Sequence, residues 1–554
     1  MKLYRRSFRA FAILALLAPL WIEVRHAPAA APEVRGTWLT TTGPDQILSG
    51  TNTAAVMSDL RTIGLNTVYV ETWKNGYTNY PSATLDAIPN APDRSTFLGT
   101  TRDLVQETLI QAHRKQLDYV GWFEYGLAAQ YVGSGGTPSN PLGTYMKNHG
   151  WLLKDQTGKY GNSSNGYAWM NPAVLQVRQF MTNIVLDAIN RYDLDGVQFD
   201  DRLAWPKEFG WDSTTASLYL AETGRSLPSS VTDSQFRTWR QGKVTQFATE
   251  LSQAIRAARP NLLLSVSPSI TGWSDTEYNA TWTAWQDQGL FDEYVPQAYR
   301  SSLSAFNSII DAQTDPFMPN DLNQEAIGIS INTSPVPPWS DVQGMIQRSR
   351  SEGVAGHSIW YGSGVRDTYG SQLTSFYDVT GQGRATNPHF GDARRPAPVV
   401  GTLASASTWS FNVPTPGRYR VVSTSDNNIW SEFKTSTFNS GTYLVTVSSA
   451  TQVELLADRR PITVADFNGD GIVDAADFVL WRKTFGSTLD LRADADGNGI
   501  VDLVDFSRWR SSFGKTVPAS GATASVLFSV PEPGSCSIVA VTLIIFCIRR
   551  TRKR

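Results

Sequence analysis

Two carboxylates, Asp200 and Asp201, stand side by side at the end of the run LDGVQFDD, residues 194–201. In an extended segment Gly196, Gln198 and Asp200 share one face, and Val197 and Phe199 the other. A small, polar face that ends in an acid suits a parallel barrel strand whose tip enters an active site. Two further acids close comparable segments, Glu71 after NTVYV and Glu124 after DYVGWF. Carboxyls gathered at such tips can donate and accept protons. Asp201 tends to raise the pKa of one member of the adjacent pair, so the two titrate as a unit.

The second chemistry is metal ligation. DFNGDGIVDAAD, residues 466–477, recurs 28 residues later as DADGNGIVDLVD, residues 494–505. Oxygen donors at loop positions 1, 3, 5, 9 and 12, with Gly at position 6, match the calcium loop of an EF-hand. Position 12 is Asp rather than Glu. Each loop precedes one helix, DFVLWRKTFG or DFSRWRSSFG, and neither has a clear entering helix.

Eight short extended segments are present to carry the acids: 34–40, 66–71, 118–124, 195–201, 262–269, 293–300, 326–332 and 356–362. Helical patterns over 53–63, 101–116, 172–192, 235–258 and 340–352 lie between them. Strands alternating with helices predict a parallel α/β sheet, and eight of them favour closure into a (β/α)8 TIM barrel. The structural alternative is an open doubly wound sheet, but no GxGxxG or GxxxxGK[ST] supports a nucleotide-binding form of it. Asn171-Pro172 reads as an N-cap followed by proline at the first helical position. The connection 125–169 is unusually long and leaves the C-terminal end of strand three, so it belongs to the active-site face. Its Tyr131, Tyr145, His149, Trp151, Tyr160, Tyr167 and Trp169 suit the wall of a saccharide cleft.

At 554 residues the chain exceeds one ordinary domain. A net charge of −2, with 18% charged residues, gives no field that calls for nucleic acid. A basic start (MKLYRRSFR), a short apolar run and small residues near Ala29 to Ala31 read as a signal peptide over 1–31. The only cysteines, Cys536 and Cys547, lie in the C-terminal tail, so no disulfide framework holds the folded part. Residues 376–395, rich in Gly, Asn, Pro and Arg, read as a linker. The β runs of 396–460 read as a small β-sandwich-like module, more spacer than binding module. The tail 530–554 joins VPEPGS, an apolar run too short to span a bilayer, and RRTRKR.

Three resemblances follow. EVRGTWLTT, IGLNTVYVETWKNGYTNYPS, WFEYGL, WMNPAV, YDLDGVQFDDRLAWPKEFGWD, TWRQGKV, LSVSPS, WQDQGLFDEYVPQAYR and GVAGHSIWYG occur in order over 33–375. Together they resemble the bacterial glycosyl-hydrolase-like "family 10-like" barrel proteins, which implies a (β/α)8 hydrolase. The calcium repeat, over 464–516, resembles a type I dockerin. That implies two calcium ions and a cohesin-type partner. Its ligands map to Asp466, Asn468, Asp470, Asp474 and Asp477, and to Asp494, Asp496, Asn498, Asp502 and Asp505, with the backbone carbonyls of Ile472 and Ile500. The tail resembles a PEP-CTERM sorting signal. It implies an exosortase-type processing enzyme, a transient membrane anchor, and delivery to the cell surface or extracellular matrix; a plain membrane anchor is the alternative.

Glycosidases need one protonated and one ionised carboxyl across the scissile bond. Asp200 is the first candidate, Glu124 its partner, and Asp201 a third catalytic candidate that could equally position substrate. The structural alternatives are hydrogen bonding of Asp200 to Arg202 or to loop amides, and a salt bridge from Glu124 to Arg202 or Arg300. Glu71, Gln297, Tyr299, Trp122 and Trp360 are candidates for substrate binding. Trp38 is a weaker one, and Glu293 and His357 sit at strand starts as structural residues. The sequence departs from the family pattern after strand eight, where family members carry a Glu. Here that place reads Tyr361-Gly-Ser-Gly364, with no carboxylate until Asp367, and strand seven ends at Asn332. A non-catalytic carbohydrate-binding or matrix protein on a degenerate barrel is therefore the competing expectation.

Overall fold

The structure is a computed structural model that describes residues 31–44, 46–94, 102–390, 395–460, 465–468 and 472–516. The expected signal peptide (but for Ala31), the sorting tail and Asp470 lie outside the described residues. Among those described, no helix is long and apolar enough to cross a membrane.

Eight parallel strands form the barrel: β1 (Val34–Leu39), β2 (Thr67–Glu71), β3 (Asp118–Phe123), β4 (Gly196–Asp200), β5 (Leu263–Ser267), β6 (Glu293–Tyr294), β7 (Ala326–Ser330) and β8 (Gly356–Trp360). The pairing runs β6-β5-β4-β3-β2-β1-β8-β7. Single bridges from Tyr294 to Glu325 and from Gln297 to Gly328 close the ring. β6 is far shorter than the expected 293–300. Pro296 has no N–H to donate there, which interrupts the ladder.

The major helices are α1 (Gly50–Ile63), α2 (Leu104–Arg114), α3 (Leu175–Arg191), α4 (Ser234–Ala258) and α5 (Trp339–Glu352). The expected cap at Asn171 is corrected, because α3 starts at Leu175. The Asn171 side chain instead accepts from the Ala173 N–H at 2.9 Å, which tightens a turn ahead of the helix.

Strand alternation sorts the core into two. Val197 and Phe199 pack outward with the helices, where Phe199 stacks on Phe123. Gln198 points into the ring, accepting from Trp38 Nε1 at 2.8 Å and donating to Ser265 Oγ at 2.9 Å. Ser265 and Tyr69 in turn donate to Glu293, which confirms that residue as structural. His357 is likewise fully buried, bonded to the Tyr377 hydroxyl.

The described residues of 376–395 are not the free linker that the composition of this stretch suggested. Tyr377 ends a helix packed on the barrel. Thr386 O accepts from Glu33 N, Asn387 donates to Thr67, and His389 lies 3.3 Å from Glu293, so this stretch closes the barrel base. Arg395 is buried and ion-paired to Asp193 at 2.5 Å and to Asp195 at 2.7 Å, the two acids that lead into β4.

An antiparallel β module follows, with β9 (Val399–Val400), β10 (Thr402–Ser405), β11 (Thr408–Val413), β12 (Gly417–Thr424), β13 (Ser431–Phe438), β14 (Gly441–Thr446) and β15 (Gln452–Ala457). Its two sheets, β9-β15-β12-β13 and β10-β11-β14, enclose Trp409, Phe411, Tyr419, Val421, Phe438 and Leu455. The module is docked on the barrel rather than spaced from it. Trp430, Val422 and Leu456 pack on Ile110 of α2, and Arg114 pairs with Glu454 at 2.7 Å. Two further helices, α6 (Ala475–Thr484) and α7 (Leu503–Ser512), end the described chain.

Candidate active site and acidic loops

The carboxyls meet at the C-terminal ends of β2, β3 and β4. Asp200 faces inward, as alternation required, and is 3% exposed. Its Oδ1 accepts from the Arg202 backbone N–H at 3.0 Å and its Oδ2 from the Arg202 guanidinium at 2.9 Å. The same guanidinium donates to the Glu124 backbone carbonyl at 3.1 Å and to the Tyr167 hydroxyl at 3.2 Å. Arg202 thus fastens the tips of β3 and β4 to the long connection. Gly126 permits this approach. It sits at φ +43, and a Cβ there would meet the Arg202 carbonyl at 2.5 Å.

Burial pushes the Asp200 carboxyl up and Arg202 opposes it, while Asp201 and Glu124 add repulsion. Asp201 is more open, with a side chain 20% exposed, 3.7 Å from Arg202 and accepting from Ser269 at 3.2 Å. Burial, reinforced by Glu71 and opposed by Lys74 and Arg202, raises Glu124 to about 7.

The expected Glu124 salt bridge to Arg202 or Arg300 is replaced by one to Lys74, at 3.0 Å. Arg300 donates instead to the Tyr299 carbonyl at 2.7 Å. Lys74 lies on a hairpin just past β2 and was missed in the sequence. Its signal was the three-residue spacing from Glu71, since the same ammonium contacts Glu71 at 2.7 Å. Glu71 has no exposed surface and accepts from both Thr40 and Thr41, so the substrate contact expected of it is corrected to an internal role.

The other candidates divide. Trp360 is half-buried at the mouth, edge-on to Trp122 at 5.7 Å and to Trp38 at 6.1 Å. Trp122 is 3% exposed, and its indole N–H has no hydrogen-bond partner. Trp38 is core. Gln297 spends its amide N–H on the Ser267 carbonyl, whereas Tyr299 faces the charges of Asp201 and Asp200. In the long connection Trp169 is buried, but Tyr131 is 58% exposed and packs on Tyr167 at 5.1 Å. Arg202 lies 4.9 Å from the Tyr167 ring, so an aromatic path leads outward from the acids.

In the second acidic loop, carboxylate oxygens of Asp494, Asp496 and Asp505 lie within 4.8 Å of one another. Burial, with Asp505 and Asp496 alongside, raises Asp494 to about 7. Gly499, at loop position 6, takes φ +81 for the sharp turn. Asp505 also closes a capping box with Asp502, and Asp477 does so with Asp474. Trp481 donates to the Asp502 carbonyl and Trp509 to that of Asp474, so the sequence repeat is also a structural one. A donor set of crowded, mutually repelling carboxylates fits a hard divalent cation.

A closed (β/α)8 barrel with acids converging at its C-terminal mouth places this chain in the TIM-barrel class. Residues 33–335 match the model of the glycosyl hydrolase-like 10 family, and the chain belongs to that family. Glycosyl hydrolase DigH of Escherichia coli K12 is 25% identical over 268 residues, covering 44% of this chain and 56% of that protein. Glycosyl hydrolase YngK of Bacillus subtilis 168 is 22% identical over 321 residues, covering 53% and 58%. The chain spans about half the length of the curated relatives it matches. Among solved structures, the glycoside hydrolase domain of PgaB (BpsB) from Bordetella bronchiseptica has a TM-score of 0.48 at 13% identity. That match covers 63% of this chain and 99% of that one.

Proposed function

We propose that the barrel hydrolyses glycosidic bonds in a polysaccharide by carboxyl acid/base chemistry. The observation that carries this reading is the convergence of Glu124, just past β3, with the Asp200–Asp201 pair at the end of the adjacent β4, joined through Arg202; burial raises Glu124 to about 7. Glu124 gives its proton to the leaving oxygen. The pair on β4 supplies the opposing carboxylate, and Arg202 holds it in place. Trp360, the free indole N–H of Trp122, and Tyr299 line the path of the sugar. The test is release of reducing ends from a panel of purified polysaccharides by the wild type, Asp200→Asn and Glu124→Gln; turnover that neither substitution changes would refute this site. The second reading, a carbohydrate-binding barrel, is favoured by the tie between Asp200 and Arg202. It predicts retained glycan binding with no release.

Tyr131 and Tyr167 supply a stacking surface for a sugar ring beyond the cleavage point. Tyr131→Ala is expected to raise KM for long chains about tenfold, the loss of about 1.4 kcal/mol in binding, and to leave short aryl glycosides unaffected. An equal effect on both substrates would remove Tyr131 from the binding path.

The loop pair is proposed as a type I dockerin. The first ion is held by Asp466, Asn468, Asp470, Asp474, Asp477 and the Ile472 carbonyl. The second is held by Asp494, Asp496, Asn498, Asp502, Asp505 and the Ile500 carbonyl. Calcium supplies the charge that lets these carboxylates pack, and the partner is a cohesin-type protein. Removing calcium with EGTA is expected to abolish a separate unfolding transition, monitored by fluorescence of Trp481 and Trp509, and added calcium to restore it. Fluorescence unchanged by EGTA would count against the assignment. The ends of the chain support export and sorting by an exosortase-type enzyme to the surface or matrix.

A further inference from the structure

Glu71 is the one acid at the described mouth with no surface open to substrate. Its Oε2 accepts from Thr40 Oγ1 at 2.5 Å, the Thr41 backbone N–H at 3.0 Å and Lys74 Nζ at 2.7 Å, while Thr41 Oγ1 donates to Oε1. Lys74 Nζ also donates to Thr42 at 2.5 Å and Thr40 at 3.2 Å. On its far side it lies 3.0 Å from Glu124 Oε2, an oxygen with no hydrogen bond of its own. Arg202, the other cation nearby, directs its donors to the Glu124 backbone, to Asp200 and to Tyr167. Lys74 is therefore the described cation in ion-pair contact with the Glu124 carboxyl, and Glu71 stands directly behind it.

We infer that Glu71 and Lys74 act as an inbuilt ion pair that sets how firmly Glu124 holds its proton. Lys74 is the positioning residue that keeps the Glu124 carboxyl aimed at the mouth. Glu71 is the buried counter-charge that stops Lys74 from driving the proton off. The inference rests on the reading of Glu124 as the acid. The electrostatics agree with this arrangement. Burial works against the Lys74 charge, but Glu71 and Glu124 outweigh it and hold the ammonium above its ordinary value. Arg202, Asp200 and Tyr125 also face the Glu124 carboxyl, and their charges are the same in every variant compared.

The pair gives two shifts of opposite sign. Glu71→Gln leaves an uncompensated ammonium beside Glu124 and should lower its pKa by about one to three units. Lys74→Met removes the ammonium that lies between the Glu71 and Glu124 carboxyls and should raise it by a similar amount. Glu71→Asp and Lys74→Arg keep the charges and should return the titration toward that of the wild type. The experiment is a carboxyl ¹³C NMR titration of the full chain without substrate, the Glu124 resonance being assigned by its loss in Glu124→Gln. Shifts of the same sign, or no shift, overturn the inference. Should Glu71→Gln not fold, the comparison of Lys74→Met with Lys74→Arg decides alone. A pH–rate profile on the responding polysaccharide separates the two claims. If the resonance moves as expected but the rate profile does not follow, the ion pair stands and Glu124 is not the acid.

Discussion

Glu124→Gln is expected to lower kcat by about 100- to 10,000-fold, the span over which general acids contribute, while KM changes little. The amide keeps the shape of the side chain and cannot give up a proton to the leaving oxygen. Because burial and Glu71 raise the carboxyl to about 7, its acid form dominates below that pH and fades above it. Wild-type turnover should therefore fall as pH rises through about 7, and the variant's residual rate should lack that descending limb. A variant that keeps both its rate and its pH profile would take Glu124 out of the chemistry. Asp200→Asn should be as inactive, with an added loss of stability, since it strips Arg202 of its closest carboxylate.

Arg395→Met should destabilise the chain by about 3–5 kcal/mol, the usual consequence of removing one partner from a buried ion pair. Arg395 pairs with both Asp193 and Asp195, and its guanidinium also donates to the Ala457 carbonyl of the β module. Burial would push these two carboxyls up, but Arg395 outweighs it, with Arg420 beside Asp193 and His113 beside Asp195, and both acids are held below the ordinary range. Burial and the Arg395 charge lower His113 to about 4, so a neutral ring accepts from Arg420 at Nδ1 and donates to Asp195 from Nε2. Without Arg395 two ionised acids remain enclosed with weaker partners. Urea unfolding followed by circular dichroism measures the loss. A change no larger than about 0.5 kcal/mol, typical of surface substitutions, would mean that the module is held elsewhere.

Much of the barrel could be read in the sequence because alternation along a strand is local information. The placement of Gln198 and Asp200 inside and Phe199 outside needed only a period of two. What escaped depended on contacts across the chain. Glu71 looked like a mouth acid because it ends a strand, and Thr40 and Thr41, just past β1, together with Lys74 show it to be enclosed. The Glu124 cation was sought at Arg202 or Arg300, whereas it came from the hairpin after β2. Arg395 lay in a stretch whose composition read as linker, and the acids it needs lie some 200 residues earlier. The β6 error was local and avoidable, since Pro296 was visible in the sequence. The acidic loops were legible as a repeat because their ligand spacing is itself the signal.

The β module grips the barrel at the base, where Asp193 and Asp195 feed β4, and the Arg459 backbone N–H adds a bond to Asp193 just before the acidic loops begin. The acids open on the opposite rim. That grip ties the module to the two acids that lead into the strand carrying Asp200, so the module and that strand share one anchor.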